Sequence, residues 1–239
     1  MKFSLFKLFT SIYLCCFSCF PALANSISIK NYGHSSLLIK GDNKSILLNP
    51  FKSVGCAKNL KEPNINVDLI FANSELADEG AKVAKGLFFV NPGSYLVRGF
   101  NFEGFAIPHD RLDGRRYGQS TLWTWTQGGF RFAHLGSTAS KISTENKILI
   151  GNPDVLIIGV GGGPKTYTGA EAALVVKNLK PKFVIPVQYS RGNISSQCDL
   201  SDIGEFISSM PNVKVRNVGN TFNIKKIEDE MVILIMKSP

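Results

Sequence analysis

The stretch "DLIFANSELADEGA", Asp68 to Ala81, opens with a continuous apolar run and then breaks into Asn73, Ser74, Glu75, Asp78 and Glu79. The run is too short for a helix and is bounded by turn formers, so it reads as a buried strand. A polar cluster at the end of such a strand stands where scaffolds carry binding and reacting groups. Beyond it, "ELADEGAKVAKGL" is Ala-rich with helical spacing and is expected as a helix leading into the apolar strand "LFFV".

The same reading extends in both directions. "ISIKNYGHSSLLIKGDNKSILLNPF", from Ile27, alternates apolar and polar residues between Gly33, Gly41 and Asp42, as two or three antiparallel strands would. "SYLVRGFNFEGFAIPHD" supplies two more strands, and "RLDGRRYGQS" is a polar loop. Leu122–Trp125 and Phe130–Ala133 form a hairpin around Gln127, Gly128 and Gly129. "PDVLIIGV" and "KFVIPVQY" are buried strands flanking the amphipathic helix "GAEAALVVKNLK", which Thr168 opens. A helix over Ser201–Met210 and the strands "NVKVRNV" and "MVILIM" close the chain. The pattern is α/β (α+β): one domain of packed sheets with helices outside.

The first 24 residues place Lys2 and Lys7 before the apolar run Leu8–Phe20, followed by Pro21 and the small-residue site Ala22-Leu23-Ala24. That order is a secretory signal, and the run is short of the ~20 apolar residues a spanning helix needs. The expected organisation is therefore a signal over residues 1–24 and a single domain over 25–239, exported to a periplasm, an equivalent lumen or the exterior. Cleavage would remove Lys2 and Lys7, taking the net charge from +9 to +7, and would leave Cys56 and Cys198 as the cysteines of the mature chain. A basic chain favours anionic partners, either a small anionic molecule or a membrane surface. With no long Lys/Arg run or aromatic ladder, no nucleic-acid partner is expected. Nothing in the sequence sets the oligomeric state.

"GVGGGPKT", Gly159–Thr166, has Pro164 where a phosphate loop needs glycine, and reads as a tight strand-to-helix turn. Trp123 and Trp125 share one face of a strand. The three histidines, His34, His109 and His134, each sit at a strand edge in "YGHSS", "IPHDR" and "FAHLGST", and they could meet at one rim.

In order and spacing, "GHSSLLIKGDNKSILLNPF", "DLIFANSELADEG", "IPHDRLDG", "FRFAHLGST", "DVLIIGVGGGPKTYTGAEAA" and "LKPKFVIPVQY" resemble the metallo-beta-lactamase superfamily. The likeness is strongest to its ascorbate-6-phosphate lactonase-like and N-acylphosphatidylethanolamine phospholipase D-like branch. The resemblance implies an αββα four-layer sandwich with a metal site along one edge, and metal-dependent hydrolysis. It also implies a His-x-His-x-Asp-His loop after "DLIFA", and laid on this sequence that pattern falls on Asn73, Glu75, Ala77 and Asp78. His134 matches the next ligand, Ser137 stands for the bridging aspartate, Gln188 for the last histidine, and Asn49 for the aspartate before Pro50.

What the resemblance implies for function is a superfamily fold whose dinuclear zinc centre has been lost, with no cofactor expected. The residual cleft would bind a small anionic ligand through Arg111, Arg115 and Arg116 together with Asn73 and Gln188. The alternative is a hydrolase of an ester, lactone or phosphodiester with a single divalent metal on Glu75, Asp78 and His134, a ligand set that suits harder ions. In a metal-free variant His34 or His109 would be the catalytic base. Asn73, Asp78 and Gln188 are expected to gather around His134. In the family the loops holding Cys56 and Cys198 share the metal-bearing edge, so the two can pair.

Overall fold

A computed structural model describes residues 26–192 and 198–239. The expected signal, residues 1–24, lies outside the described residues. In chain order the elements are β1 (Ile27–Gly33), β2 (Ser36–Gly41), β3 (Lys44–Leu48), β4 (Asn66–Phe71), β5 (Lys85–Phe89), β6 (Gly93–Val97), β7 (Phe100–Pro108), β8 (Gln119–Gln127) and β9 (Phe130–Gly136). There follow α1 (Thr144–Ile150), β10 (Val155–Gly159), α2 (Gly169–Leu179), β11 (Phe183–Val187), α3 (Gly204–Ser208), β12 (Lys214–Val218), β13 (Thr221–Ile224) and β14 (Val232–Met236).

The strands make two sheets, ordered β13-β1-β2-β3-β4-β5 and β12-β14-β11-β10-β9-β8-β7-β6. Period-two alternation sends one set of side chains from each sheet into a shared core. There Ile29, Ile39 and Phe71 meet Trp123, Phe132, Ile157, Ile185 and Leu234. β10 and β11 are buried along their whole length because α2 and α3 cover the outer face of the larger sheet.

Local chemistry sets the boundaries. The β8–β9 hairpin turns on Gly128 and Gly129, both left-handed at φ 59° and 76°, as a two-residue turn between twisted strands requires. α2 begins with a capping box: the Thr168 side chain accepts from Glu171 N, and the Glu171 carboxylate accepts from Thr168 N at 2.8 Å. The helix expected over "ELADEGAKVAKGL" does not form, and residues 75–84 are turns before β5 starts at Lys85. Its glutamate at 79 is drawn inward, and the chain folds back so tightly that a Cβ on Gly80 would collide with the Ser74 carbonyl. The helix expected over Ser201–Met210 shortens to α3.

Strand direction decides where the chemistry can lie. β3 and β4 are parallel, as are β9, β10 and β11, and β7 and β9 are both antiparallel to β8 and so run the same way. In the larger sheet β7, β9, β10 and β11 therefore leave by one edge. Three residues beside strand ends, His34, Asn49 and Gln188, are left-handed without being glycine, at φ 51°, 42° and 49°. Non-glycine residues held there mark a backbone over-determined by its surroundings.

Cys56 and Cys198 are disulfide-bonded, with Cα atoms 4.5 Å apart across 142 residues of chain. A loop of that length corresponds to about 5 kcal/mol in the chain-entropy model. Peptide mapping without reductant is expected to recover the segments around Cys56 and Cys198 as one linked species that separates on reduction. Finding both as alkylatable thiols would contradict the bridge.

Candidate functional site

The polar groups at the common edge converge on Glu79, whose side chain is fully buried. Its Oε1 accepts from the Ser74 hydroxyl at 2.6 Å and lies 3.0 Å from His109 Nε2, the ring being turned off the line of a straight hydrogen bond. Its Oε2 accepts from Gln188 Nε2 at 3.2 Å and from the Ser137 hydroxyl, which in turn accepts from Gln188. Each partner arrives from a different place. Ser74 and Glu79 belong to the loop after β4, His109 follows β7, Ser137 follows β9 and Gln188 follows β11.

Burial alone would raise the Glu79 carboxyl. Contact with His109, the charge of Lys165 and the Ser137 hydroxyl outweigh that and hold it well below the ordinary carboxylate value. Lys165, from the glycine-rich turn, donates to Asp78 Oδ2 at 2.8 Å, both side chains being about four-fifths buried. Burial opposes the charge of the ammonium, but Glu79 and Asp78 raise its pKa. The cavity beside this pair, lined by His34, Asp78, Lys165, Thr166 and Gln188 among others, has a volume of about 20 Å³. That is room for roughly one water.

Most expected site residues fall near this edge, but in roles other than those read from the sequence. Asn73 is buried and structural: its Oδ1 accepts from Asn49 Nδ2 at 2.6 Å and its Nδ2 donates to Thr121 O at 2.5 Å. A Cβ on Gly136 would collide with that amide. Among the described residues none of Asn73, Asp78 and Gln188 hydrogen-bonds His134: Gln188 donates to Glu79, and Asp78 accepts from Lys165. Both ring nitrogens of His134 are buried without a partner. The set Glu75, Asp78 and His134 is not assembled either: Glu75 is exposed, Asp78 is paired with Lys165, and His134 is within β9. Among the described residues no group of three His, Cys, Asp or Glu is placed to hold a metal ion.

Arg111 is engaged internally. Its guanidinium donates to Gly163 O and Glu171 Oε2, each at 2.5 Å, and to Thr166 O at 3.2 Å, clamping the polar loop to the start of α2. Arg115 and Arg116 are exposed, and Arg116 lies over the Tyr117 ring at 5.0 Å. His109, fully buried against Glu79, has no exposed face for a substrate, and His34 keeps a buried, unpartnered Nε2.

Glu79, Ser74 and Lys165 were not singled out as site residues in the sequence. The signal that finds Ser74 and Glu79, though not Lys165, is a shift of one residue. Laid on 74, 76, 78 and 79, the His-x-His-x-Asp-His spacing falls on Ser74, Leu76, Asp78 and Glu79, so that its aspartate is Asp78 and two of its positions are those that converge. His109 rather than His134 then joins them.

The family model for the beta-lactamase superfamily domain matches residues 28–188. Among solved structures, a Thermotoga maritima protein assigned to the metallo-beta-lactamase superfamily as a zinc-dependent hydrolase superposes with a TM-score of 0.72 at 23% identity, covering 89% of this chain and 100% of that one. A Parabacteroides distasonis protein described as a metal-dependent hydrolase gives 0.59 at 18% identity, covering 79% of this chain and 90% of its own. The metallo hydrolase Igni18 of Ignicoccus hospitalis gives 0.59 at 19%, covering 84% and 99%. At these identities the superpositions show the fold. No curated protein matches by sequence.

Burial holds His134 neutral, pushing it from its ordinary 6.5 to about 3 against the pull of Glu79, and burial lowers His34 as well. Between pH 6.5 and 3 the unfolded His134 binds a proton that the folded one refuses. Stability is therefore complete above pH 6.5 and falls as pH drops, by about 1.4 kcal/mol per unit for one such group. Glu79, held low, adds a loss of the same sign below its ordinary 4.5. Urea unfolding at pH 6.5 and pH 5 is expected to show this slope, reduced by about one proton in His134→Leu. An unchanged slope in that variant would mean that the folded ring is protonated freely.

Proposed function

The chain belongs to the metallo-beta-lactamase superfamily, and from that membership we propose an exported, metal-free member in which a buried polar network replaces the zinc centre and a small anion binds beside it. The observation that carries this reading is Glu79, a carboxylate whose two oxygens are already engaged by Ser74, His109, Ser137 and Gln188.

The residues present do not fit the metals the superfamily implies. A catalytic zinc takes three strong protein ligands, from imidazole, thiolate or carboxylate, and keeps one position open. At the converging positions stand one imidazole and one carboxylate, with two hydroxyls and an amide that are weak ligands, and Asp78 at the pattern's aspartate position is already paired with Lys165. Lys165 already supplies positive charge to Glu79 and Asp78. Exchanging a metal for an ammonium and neutral donors balances the remaining carboxylates without an ion.

The network leaves no room for a substrate, and a larger pocket adjoins it. It has a volume of about 130 Å³ beside the disulfide and is lined by Lys58, Arg191, His34, Tyr189, Ser190 and Ser238 among others, with no carboxylate in its lining. Among the described residues neither Lys58 nor Arg191 pairs with a carboxylate. Arg191 stacks on Tyr189 at 4.5 Å. A guanidinium and an ammonium around a polar pocket of this size suit a phosphate or carboxylate group.

Three experiments test the reading. Protein equilibrated with excess zinc and then dialysed is expected to retain well under one equivalent by elemental analysis, and near-stoichiometric retention would overturn it. The variant Ser74→His, Leu76→His, Glu79→His, Ser137→Asp and Gln188→His, with Asp78 and His109 kept, is expected to bind zinc once folded. Titration with inorganic phosphate is expected to give saturable binding that Lys58→Ala and Arg191→Ala each weaken by about tenfold or more. Equal binding by wild type and both variants would remove the anion site while leaving the metal result standing.

A further inference from the structure

We propose that the outer face made by α1 and α2 docks onto an anionic lipid surface. α1 exposes Ile148 at 74% and Leu149 at 40%, and α2 exposes Leu174 at 62%. Between the helices runs a groove of about 260 Å³ whose apolar lining includes Ile142, Leu174, Val175 and Leu179. Lys147 of α1 and Leu174 of α2 line this groove together, and Ile148 and Leu149 follow Lys147 directly in α1.

The charges around the groove select its occupant. Lys141 and Lys147 line it, and Lys177 and Lys180 are exposed on and just past α2, with Lys177 three residues, or about one turn, from Leu174. The carboxylates here are Glu145, which is exposed, and Glu171, which Arg111 holds. Four ammonium groups thus stand against one free carboxylate. A second copy of the chain would bring the same four lysines opposite these, at a cost in repulsion. A lipid surface with negative headgroups satisfies both features, because apolar side chains enter the acyl boundary while lysines reach phosphates on their long stems. Single exposed apolar residues elsewhere, such as Leu87 and Leu96 on β5 and β6, lack such a groove and need no special account.

Co-sedimentation of the full chain with vesicles tests this, with wild type and variants sharing one N-terminus, checked by mass, so that residues 1–24 cannot make the difference. Binding is expected to vesicles of phosphatidylcholine with phosphatidylglycerol and not to phosphatidylcholine alone. Lys141→Glu with Lys147→Glu is expected to weaken it by about tenfold or more, at roughly fivefold for each lysine lost near an anionic surface. Ile148→Asn with Leu174→Asn is expected to weaken it by about tenfold, with thermal melts confirming that these exposed substitutions leave the fold intact. Leu87→Asn with Leu96→Asn is expected to change nothing. The proposal is overturned by absence of binding, by binding indifferent to Ile148→Asn and Leu174→Asn, or by an equal loss in the control. It is also overturned if light scattering finds a dimer that the Ile148→Asn and Leu174→Asn variant returns to monomer. None of these outcomes depends on whether the metal-free reading holds.

Discussion

A carboxylate removed from water must find its charge balance inside the protein, and Glu79 finds it in groups brought from four separate strand exits. Breaking such a buried arrangement by deleting one partner typically costs several kcal/mol, since the remaining charge is left uncompensated. The loops after β4, β7, β9 and β11 are therefore fixed relative to one another by a single anion. Asn73 adds a second, neutral tie, joining the end of β4 to Asn49 and to Thr121 of β8 across the two sheets. Lys165 closes the arrangement by spanning from the turn after β10 to Asp78.

This constraint explains where sequence patterns hold and where they fail. The strands, the Gly128–Gly129 hairpin and the Thr168 cap were legible because each is decided by a few neighbouring residues: a period of two, a left-handed turn, a hydroxyl three residues before a glutamate. The stretch after β4 has helical spacing too, yet its spacing is overruled by the long-range demand of Glu79 for donors. The site itself was legible as an edge and as a loop, but not in register. With no histidine between 68 and 81 there is no chemical mark by which to choose between 73 and 74, and only the positions of Ser137, Gln188 and His109 make the choice. The internal bonds of Arg111 were not legible for a related reason, because a guanidinium suits an external phosphate as well as it suits the Gly163 carbonyl and Glu171.

The backbone around the site holds uncommon conformations. His34, Asn49 and Gln188 are left-handed, and so is Gly136, at φ 51°, where a Cβ would also meet the Asn73 amide. Such strain persists where the surrounding packing over-determines it. In this chain the two-sheet core supplies that packing. His134 belongs to the same account. It is a fully buried imidazole on β9 with no partner, tolerated because burial keeps it neutral, and it costs stability only when acid would charge it.

The space beside the centre is small. At about 20 Å³, next to the Lys165–Asp78 pair, it has room for roughly one water. The larger spaces include the polar pocket beside the disulfide and the apolar groove between α1 and α2, and both carry lysines without matching acids in their linings, Glu171 being held by Arg111. The carboxylates Glu79, Asp78 and Glu171 are each matched to a cation or to neutral donors. The positive charge of the chain bears on what comes from outside, whereas the charges in its centre are spent on holding the strand exits together.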